Sequence, residues 1–161
     1  MPIFMKFAGV KGEATDAGHQ EWVRAESLSA DIFRSITEGA KDQQRSRGHT
    51  TVGDVVVVRQ LDRSSTKLQE NCANGTFFDE VEIHLCTQVK NQNEPYLKYK
   101  LKNVIISGYS CHAVESGNPL PSEEVTLNCT EAEWTYVVID PKTGENKGSV
   151  PAKYSLGEGK S

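Results

Sequence analysis

The chain has 161 residues, a length typical of one domain, and its 18 basic and 22 acidic residues give a net charge of -4. This balance lacks the basic surface that nucleic-acid binding requires, so we expect no nucleic-acid partner. The longest apolar runs, residues 55–58 and 104–106, are far shorter than the roughly 20 residues that span a bilayer, and we expect no membrane partner.

The chain begins with MPIFMKFAGV, a short strand pattern that lacks the basic region of a secretory signal. We therefore expect synthesis in the cytoplasm without a signal peptide. After a turn-rich segment, residues 22–28 predict a second strand. Residues 37–51 then contain no large apolar side chain. They predict a structureless polar loop outside the core, either a binding loop or disordered.

Residues 52–61 predict a strand whose four consecutive valines favour a central position covered on both faces. A helix pattern follows at about residues 65–74. There Thr66 and Gln69 fit a capping box, and Gly75 fits a C-terminal stop. Residues 77–86 alternate as a strand and lead through the polar connection VKNQNEP, which predicts a β-hairpin with a long tip.

Residues 96–110, YLKYKLKNVIISGYS, carry the most regular alternation in the chain. One face of this strand is apolar, and the other carries a lysine row of Lys98, Lys100 and Lys102. After Asn103 three apolar residues are consecutive, so the strand is either covered on both faces or shifts its phase through a bulge. The lysine row is a candidate assembly surface for an acidic partner, and equally a face that keeps the sheet soluble.

Three further strands are predicted at residues 124–130, 133–139 and 152–156. Strands at this density predict a mainly β protein, a compact antiparallel β-barrel with one short α-helix at about residues 65–74. We expect residues 1–161 to form a single domain from which the polar loop 37–51 extends.

The four cysteines, Cys72, Cys86, Cys111 and Cys129, have no CxxC spacing and are expected to be reduced thiols. Cys111 and His112 are adjacent, so on a strand they point to opposite faces and do not form a thiol–imidazole pair. Zinc ligation by two Cys and two His side chains is chemically admissible, but these ligands lack any familiar spacing; the set is His84, Cys86, Cys111 and His112. We expect no enzymatic activity, no metal site and no cofactor.

Several segments together resemble the hemolysin-coregulated protein (Hcp) family, which forms the tube of the bacterial type VI secretion system. The resemblance rests on VKGEATDAGHQEWV, the polar loop ending in GHTT, LDRSSTKLQENCANGTFFDEVEIHL, and YLKYKLKNVIISGYS followed by EEVTLNCTEAEWTYVVIDPKTG. It covers about residues 3–156 in the order of the family. The chain departs from the family in its more charged polar loop and in the lack of aromatic residues at residues 26–30.

The resemblance implies a structural subunit that forms hexameric rings, which stack into a hollow tube within a contractile sheath and beneath a valine-glycine repeat spike protein. Such a tube carries effectors out of the cell, so the protein would be secreted without a signal peptide. By the same resemblance the long loop reaches a neighbouring subunit, and the candidate ring-interface residues are Gln43, Gln44, Arg45, Arg47 and His49. Ser27 and Ser29 are candidate lumen-facing residues.

A small-molecule-binding β-barrel is the alternative function. It requires an apolar interior cavity with a few converging polar groups.

Overall fold

A computed structural model of the chain describes residues 1–36, 38–39, 41–45, 48–115, 117 and 120–156. These residues form strands β1 (Ile3–Phe7), β2 (Val23–Ala25), β3 (Ser27–Ser29), β4 (Ile32–Arg34), β5 (Thr50–Val52), β6 (Val55–Gln60), β7 (Phe77–Val89), β8 (Gln92–His112), β9 (Ser122–Asn128), β10 (Glu131–Ile139) and β11 (Asn146–Ser155), and helices α1 (Asp42–Arg45) and α2 (Ser65–Asn74). Neither helix in this part of the chain is long and apolar enough to cross a bilayer.

Nine strands form one antiparallel sheet: seven lie in the order β2-β1-β7-β8-β9-β6-β3, and the other two, β10 and β11, form a hairpin that joins through pairing of β10 with β8. The end strands β2 and β3 are consecutive in the chain and are separated only by Glu26, whose backbone N–H donates to the Val58 carbonyl at 2.8 Å. The sheet therefore curls back on itself, although no direct ladder joins its two end strands. The predicted mainly antiparallel β fold is confirmed, while the single strand predicted at residues 22–28 is divided in two.

The concave side of the sheet encloses one apolar core, which also receives α2. Met5, Ile83 and Leu68 have no exposed surface, and Leu68 brings the helix into contact with the strands. The predicted full burial of the valines is wrong because β6 alternates: Val55 and Val57 face the core, while the valine that follows each of them is only partly buried. Their strand also begins later than predicted, since Gly53 and Asp54 separate β5 from β6.

Helix α2 lies where the sequence predicts it, and Gly75 ends it in a left-handed conformation (φ 64°). The Gly75 N–H donates to the Cys72 carbonyl and the Thr76 N–H to the Asn71 carbonyl, the pattern of a Schellman motif. The predicted capping box is wrong, because the helix begins at Ser65 and its cap position, Ser64, makes no side-chain capping bond. The Asp62 carboxylate instead accepts the Ser64 N–H at 2.8 Å.

The β7–β8 hairpin has a tip of two residues and not the long tip that the polar sequence predicts. Lys90 and Asn91 both have positive φ (49° and 64°), as a type I′ turn requires. Polar residues beyond the turn therefore belong to β8, and Pro95 lies within that strand. The register shifts where Pro95 faces Cys86, so the proline occupies a bulge that tolerates its missing N–H.

Strand β8 shifts its phase at Asn103, whose φ of 51° is left-handed. Leu101 and Val104 are both buried although three positions separate them, so the core-facing set changes parity at this residue. Of the two predicted alternatives, the phase shift is the one observed. Before Asn103 strand β8 pairs with β10, and beyond it with β9.

The polar segment 37–51 is not structureless in its described portion. It contains the short helix α1 and the first residues of β5, which pairs with β4 as a separate two-stranded sheet. The structure therefore has a second short helix that the sequence did not predict. All four cysteines are unpaired thiols, as expected.

Candidate assembly surfaces

The two-stranded sheet β4–β5, together with α1, forms a projection that we call the arm. Ile32 faces Val52 across this sheet, and Phe33 faces Thr51. The backbone N–H of His49 donates to the Ser35 hydroxyl at 2.8 Å, which fixes the return of the chain towards β5. The arm is thus held by its own hydrogen bonds and not by burial in the core.

Three large apolar side chains on the arm are exposed to solvent. The exposed fractions are 56% for Ile32, 61% for Phe33 and 57% for Ile36. Ile32 and Phe33 are adjacent on β4 and point to opposite faces of the two-stranded sheet, so each face exposes an apolar side chain. Exposed large apolar side chains of this kind are typical of surfaces that are covered by a partner. The contact residues predicted from the sequence lie in the polar loop 37–51 and do not include these three side chains, which lie just before it.

The predicted ring-interface residues lie on the same arm as far as they are described. Gln43 and Arg45 are exposed on α1, where Arg45 lies 3.7 Å from Asp42, and His49 is exposed beside β5. Gln44 belongs to α1, but its side chain lies outside the described residues, as does Arg47 altogether. The described members are therefore exposed polar side chains of the arm.

A second apolar surface lies on the β10–β11 hairpin, and we call its inner face the wing. Trp134 faces Tyr99 on one side and Ala152 on the other, while Tyr136 faces Leu97 and Val150. These rows continue the core-facing side of β7 and β8, but the core does not extend this far. Tyr136 is 51% exposed and Val150 is 64% exposed.

The lysine row lies on the opposite, outer face of the same sheet, where charges alternate from strand to strand. Lys102 stands between Glu80 of β7 and Glu131 of β10, and Lys100 stands in the same way between two glutamates. The Lys102 ammonium lies 3.8 Å from the Glu131 carboxylate. This face is consequently close to neutral.

Ser27 and Ser29 are both exposed on β3, and Leu28 between them packs against the core. They stand opposite Val58 and Val56 of β6. The two hydroxyls therefore share the outward face of the sheet, as their spacing predicts.

Among the described residues, Cys86, His19 and Asp16 form a Cys–His–Asp arrangement. The sequence had instead indicated the adjacent pair Cys111 and His112. The Cys86 sulfur lies 4.0 Å from Nε2 of His19, whose Nδ1 lies 3.1 Å from the Asp16 carboxylate. Burial raises the pKa of the Cys86 thiol to about 12, and His19 Nε2 is already bonded to His84, so this thiol lacks both charge and a free base.

Cys111 and His112 are exposed near the end of β8, opposite Glu123 and Ser122 of β9. His84 and Cys86 lie on β7 near the other end of β8, so the structure does not bring the four candidate zinc ligands together. Over the described ranges, no three Cys, His, Asp or Glu side chains are grouped so that they could hold a metal ion.

A family model described as "Type VI secretion system effector, Hcp" matches residues 4–136. The chain belongs to the Hcp family. It is 26% identical over 153 residues to Protein hcp1 of Pseudomonas aeruginosa, covering 94% of this chain and 91% of that protein. It is therefore a secretion-system protein of the mainly β Hcp fold.

Solved structures agree with this assignment. A structure described as a type six secretion system protein superposes with a TM-score of 0.89 at 26% identity, covering 99% of this chain and 98% of the other. Hcp1 from Salmonella typhimurium has a TM-score of 0.77 at 24% identity, with 99% and 97% of the two chains covered. The second likeness supports the fold alone. Together they extend the Hcp fold over nearly the whole chain.

Proposed function

We propose that this Hcp chain is the structural subunit of hexameric rings that stack into a hollow tube and carry effectors out of the cell. The observation that supports this most is the presence of two unlike exposed apolar surfaces, the arm and the wing, on one subunit. Secretion without a signal peptide, and contact with a valine-glycine repeat spike protein and a contractile sheath, belong to the same proposal. So does the absence of enzymatic activity.

The difference between the two surfaces favours a ring over a simple dimer. Two copies that meet through one shared surface form a closed pair. Contact of an arm with the wing of the next copy is head-to-tail, so the end copies keep one free arm and one free wing until a ring closes. Phe33 on the arm and Tyr136 on the wing are aromatic side chains of the kind that dominate interface energetics.

In this proposal the candidate residues predicted from the sequence lie around the apolar contact or on other surfaces of the ring. Gln43, Gln44, Arg45, Arg47 and His49 would form the polar rim around the apolar contact. Ser27 and Ser29 would face the lumen, and the face that carries Lys98, Lys100 and Lys102 would keep the surface of the tube soluble.

The structure gives little support to a small-molecule-binding barrel. A cavity of about 70 Å³ lies at the base of the arm between Ile32, Tyr99 and Trp134. Ligand pockets usually measure about 300–1,000 Å³. Three clefts of about 320, 420 and 630 Å³ reach this size, but they open to solvent at the surface and none of the buried residues of the main core lines them. The concave side of the sheet is filled by the apolar core described above.

Light scattering on the purified chain tests the assembly directly. We expect a mass near 107 kDa, six times the 17.8 kDa of the chain, and annular particles in the electron microscope. Phe33→Ser and Tyr136→Ser should each weaken the ring at least tenfold because each removes an aromatic contact. Phe77→Ser is the matched control, since Phe77 is 63% exposed but lies on neither surface. A monomer at high concentration, or equal loss in the Phe77 variant, would contradict the proposal.

The polar segment is tested separately by replacing residues 42–47 with a short glycine linker. The sheet should stay folded, because the described part of this segment contributes nothing to the core, while ring formation should weaken. A glycine–serine replacement of the same length removes the side chains but keeps the length of the segment. Comparison of the two variants therefore separates the effect of the side chains from the effect of the length. Unchanged assembly in both variants would remove this segment from the interface.

A further inference from the structure

Two imidazoles meet between a loop and the sheet, where Nε2 of His19 and Nδ1 of His84 lie 2.9 Å apart. His19 belongs to residues 8–22, which connect β1 to β2, and its side chain is 3% exposed. The His84 side chain, on β7, is 15% exposed. The proposed tube function uses neither histidine.

The partners of the pair fix how many protons it can hold. The Asp16 carboxylate, 3.1 Å from His19 Nδ1, only accepts, so that nitrogen carries a hydrogen. A nitrogen–nitrogen contact of 2.9 Å requires one further hydrogen between the two rings. The outer nitrogen of His84 can take another, facing Glu82 at 3.6 Å. One proton more removes the only acceptor in the bridge and leaves two opposed N–H groups on two positive rings.

The bridge helps to hold residues 13–22 over a small apolar cluster that is separate from the main core. Two further hydrogen bonds tie this loop to other elements: the Asn93 amide donates to the Asp16 carboxylate at 3.1 Å, and the Arg63 guanidinium donates to the Gly12 carbonyl at 2.7 Å. The cluster contains Phe4, Ala14 and Cys86, with Trp22 packed against it. The His19 ring stacks on Phe4 with centroids 4.3 Å apart. Cys86 has no exposed surface beneath these rings. Outward movement of this part of the loop, which the bridge opposes, therefore removes the cover from this thiol.

Charges from several elements surround the pair. Lys6 of β1 and Lys98 of β8 are positive and disfavour a charged His84. Negative groups are Asp16 in the loop, Glu82 on β7 and Glu94 on β8.

Burial, followed by the charges of His19, Lys98 and Lys6, lowers the pKa of His84 to about 4. A histidine with a lowered pKa in the closed state favours that state at neutral pH. This preference is lost as the pH falls from about 6.5 towards 4.

We propose that the His19–His84 bridge is an acid-released latch, which opens residues 13–22 and exposes the Cys86 thiol while the main core, including Val10 of the same loop, stays folded. This inference goes beyond the tube function and does not depend on it. The opening is a local unfolding of one loop and its satellite cluster.

Thiol labelling within one polypeptide tests the latch. The chain is treated with a pyridyl disulfide reagent at about pH 7.5 and about pH 4.5, and modified cysteines are identified by peptide mass spectrometry. Exposed Cys111 reports the intrinsic reactivity at each pH, and buried Cys129, in the main core, reports global unfolding. Relative to Cys111, labelling of Cys86 should rise on the order of 10- to 100-fold in acid, as the displaced pKa of His84 requires. Cys129 should remain unlabelled.

A variant identifies the group responsible. His84→Asn keeps an N–H donor near the position of Nδ1 but cannot take a proton, so it should remove most of the acid response. His112→Asn, at an exposed histidine on β8, should leave the response unchanged.

If His84→Asn does not fold, hydrogen exchange of the unmodified chain provides the second measurement. After correction for intrinsic rates, the N–H groups of Ala14 and Glu21, bonded across the loop, should lose protection in acid before Leu68 does. Equal labelling of Cys86 and Cys129, no rise at Cys86, or a full acid response in His84→Asn would overturn the latch.

Discussion

Lys100 of β8 lies directly across the sheet ladder from Glu82 of β7. On the other side of Lys100 stands Glu133 of β10, which in turn faces Lys153 of β11. Because Lys6 of β1 faces Glu82, positive and negative side chains alternate over five neighbouring strands. An acidic partner that approaches the lysine row therefore meets carboxylates as well, which favours the interpretation of this row as a solubilising face.

Lys100→Glu should destabilise the chain because it places like charges opposite each other on two ladders at once. Each such pair costs about 0.2–1 kcal/mol, so we expect a loss of about 1 kcal/mol in the free energy of unfolding, decreasing in high salt. Denaturant titration of dilute protein in the Phe33→Ser background measures this with a reduced contribution from assembly. Lys100→Gln serves as the control, and an equal loss in both variants would show that charge opposition is not the cause.

The buried ion pair of Arg59 and Glu123 should be the most sensitive polar site. Their side chains are 1% and 0% exposed, and Glu123 also accepts hydrogen bonds from Tyr109 and Ser65. Arg59→Met leaves a buried carboxylate without its cation, which costs about 3–5 kcal/mol. Arg59→Met combined with Glu123→Leu should recover much of this loss in denaturant titration. A double variant as unstable as the single one would point to lost packing instead.

Asp140 should resist protonation at the turn that closes the wing hairpin. Hydrogen bonds from Lys147 and from the backbone N–H groups of Lys142 and Thr143 lower its pKa from 3.8 to about 2. The stabilisation is therefore present above pH 3.8 and is lost as the pH falls to about 2. Lys147→Met should raise the pKa towards 3.8 in an NMR titration of the carboxyl carbon. Lys142→Met should leave it unchanged, because Lys142 donates through its backbone; an unaltered pKa in Lys147→Met would contradict the assignment.

The sequence predicted those features that depend on neighbouring residues alone, such as the alternation of β8 and the end of α2. The alternation in β8 and its break at Asn103 follow from which side chains a strand can bury, and both are observed. Gly75 ends α2 because a residue without a side chain adopts positive φ at little cost. The mainly β fold follows from the same patterns summed along the chain.

Contacts between distant segments could not be predicted in this way. His19 and His84 are 65 positions apart and meet only because the loop after β1 folds back over β7. The exposure of Phe33 follows from its place on a strand that leaves the main sheet, whereas its sequence alone favours burial. The start of β8 was predicted as part of a turn because it contains Pro95. A proline is tolerated within a strand at a bulge, and this bulge depends on the pairing with β7, which the local sequence does not reveal.

The positive φ of Asn103 determines which side chains of β8 face the core after this residue, and substitutions at Asn103 test this role. Its φ of 51° is accessible to asparagine and glycine but strained for a β-branched residue. Asn103→Val should therefore cost about 1–2 kcal/mol in denaturant titration. Asn103→Gly should cost less, since it loses only the 3.3 Å hydrogen bond from the side-chain amide to the Thr130 hydroxyl.

The backbone of Asn103→Val cannot relieve its strained φ without a larger loss of buried apolar surface. If the backbone of Asn103→Val relaxed to an ordinary strand conformation, the parity of β8 would stay constant and Val104 would rotate out of the core, where it now has no exposed surface. The variant thus either retains positive φ at a cost or exposes a core valine at a greater one. Equal unfolding midpoints for Asn103→Val and Asn103→Gly would mean that the positive φ does not hold the phase shift in place.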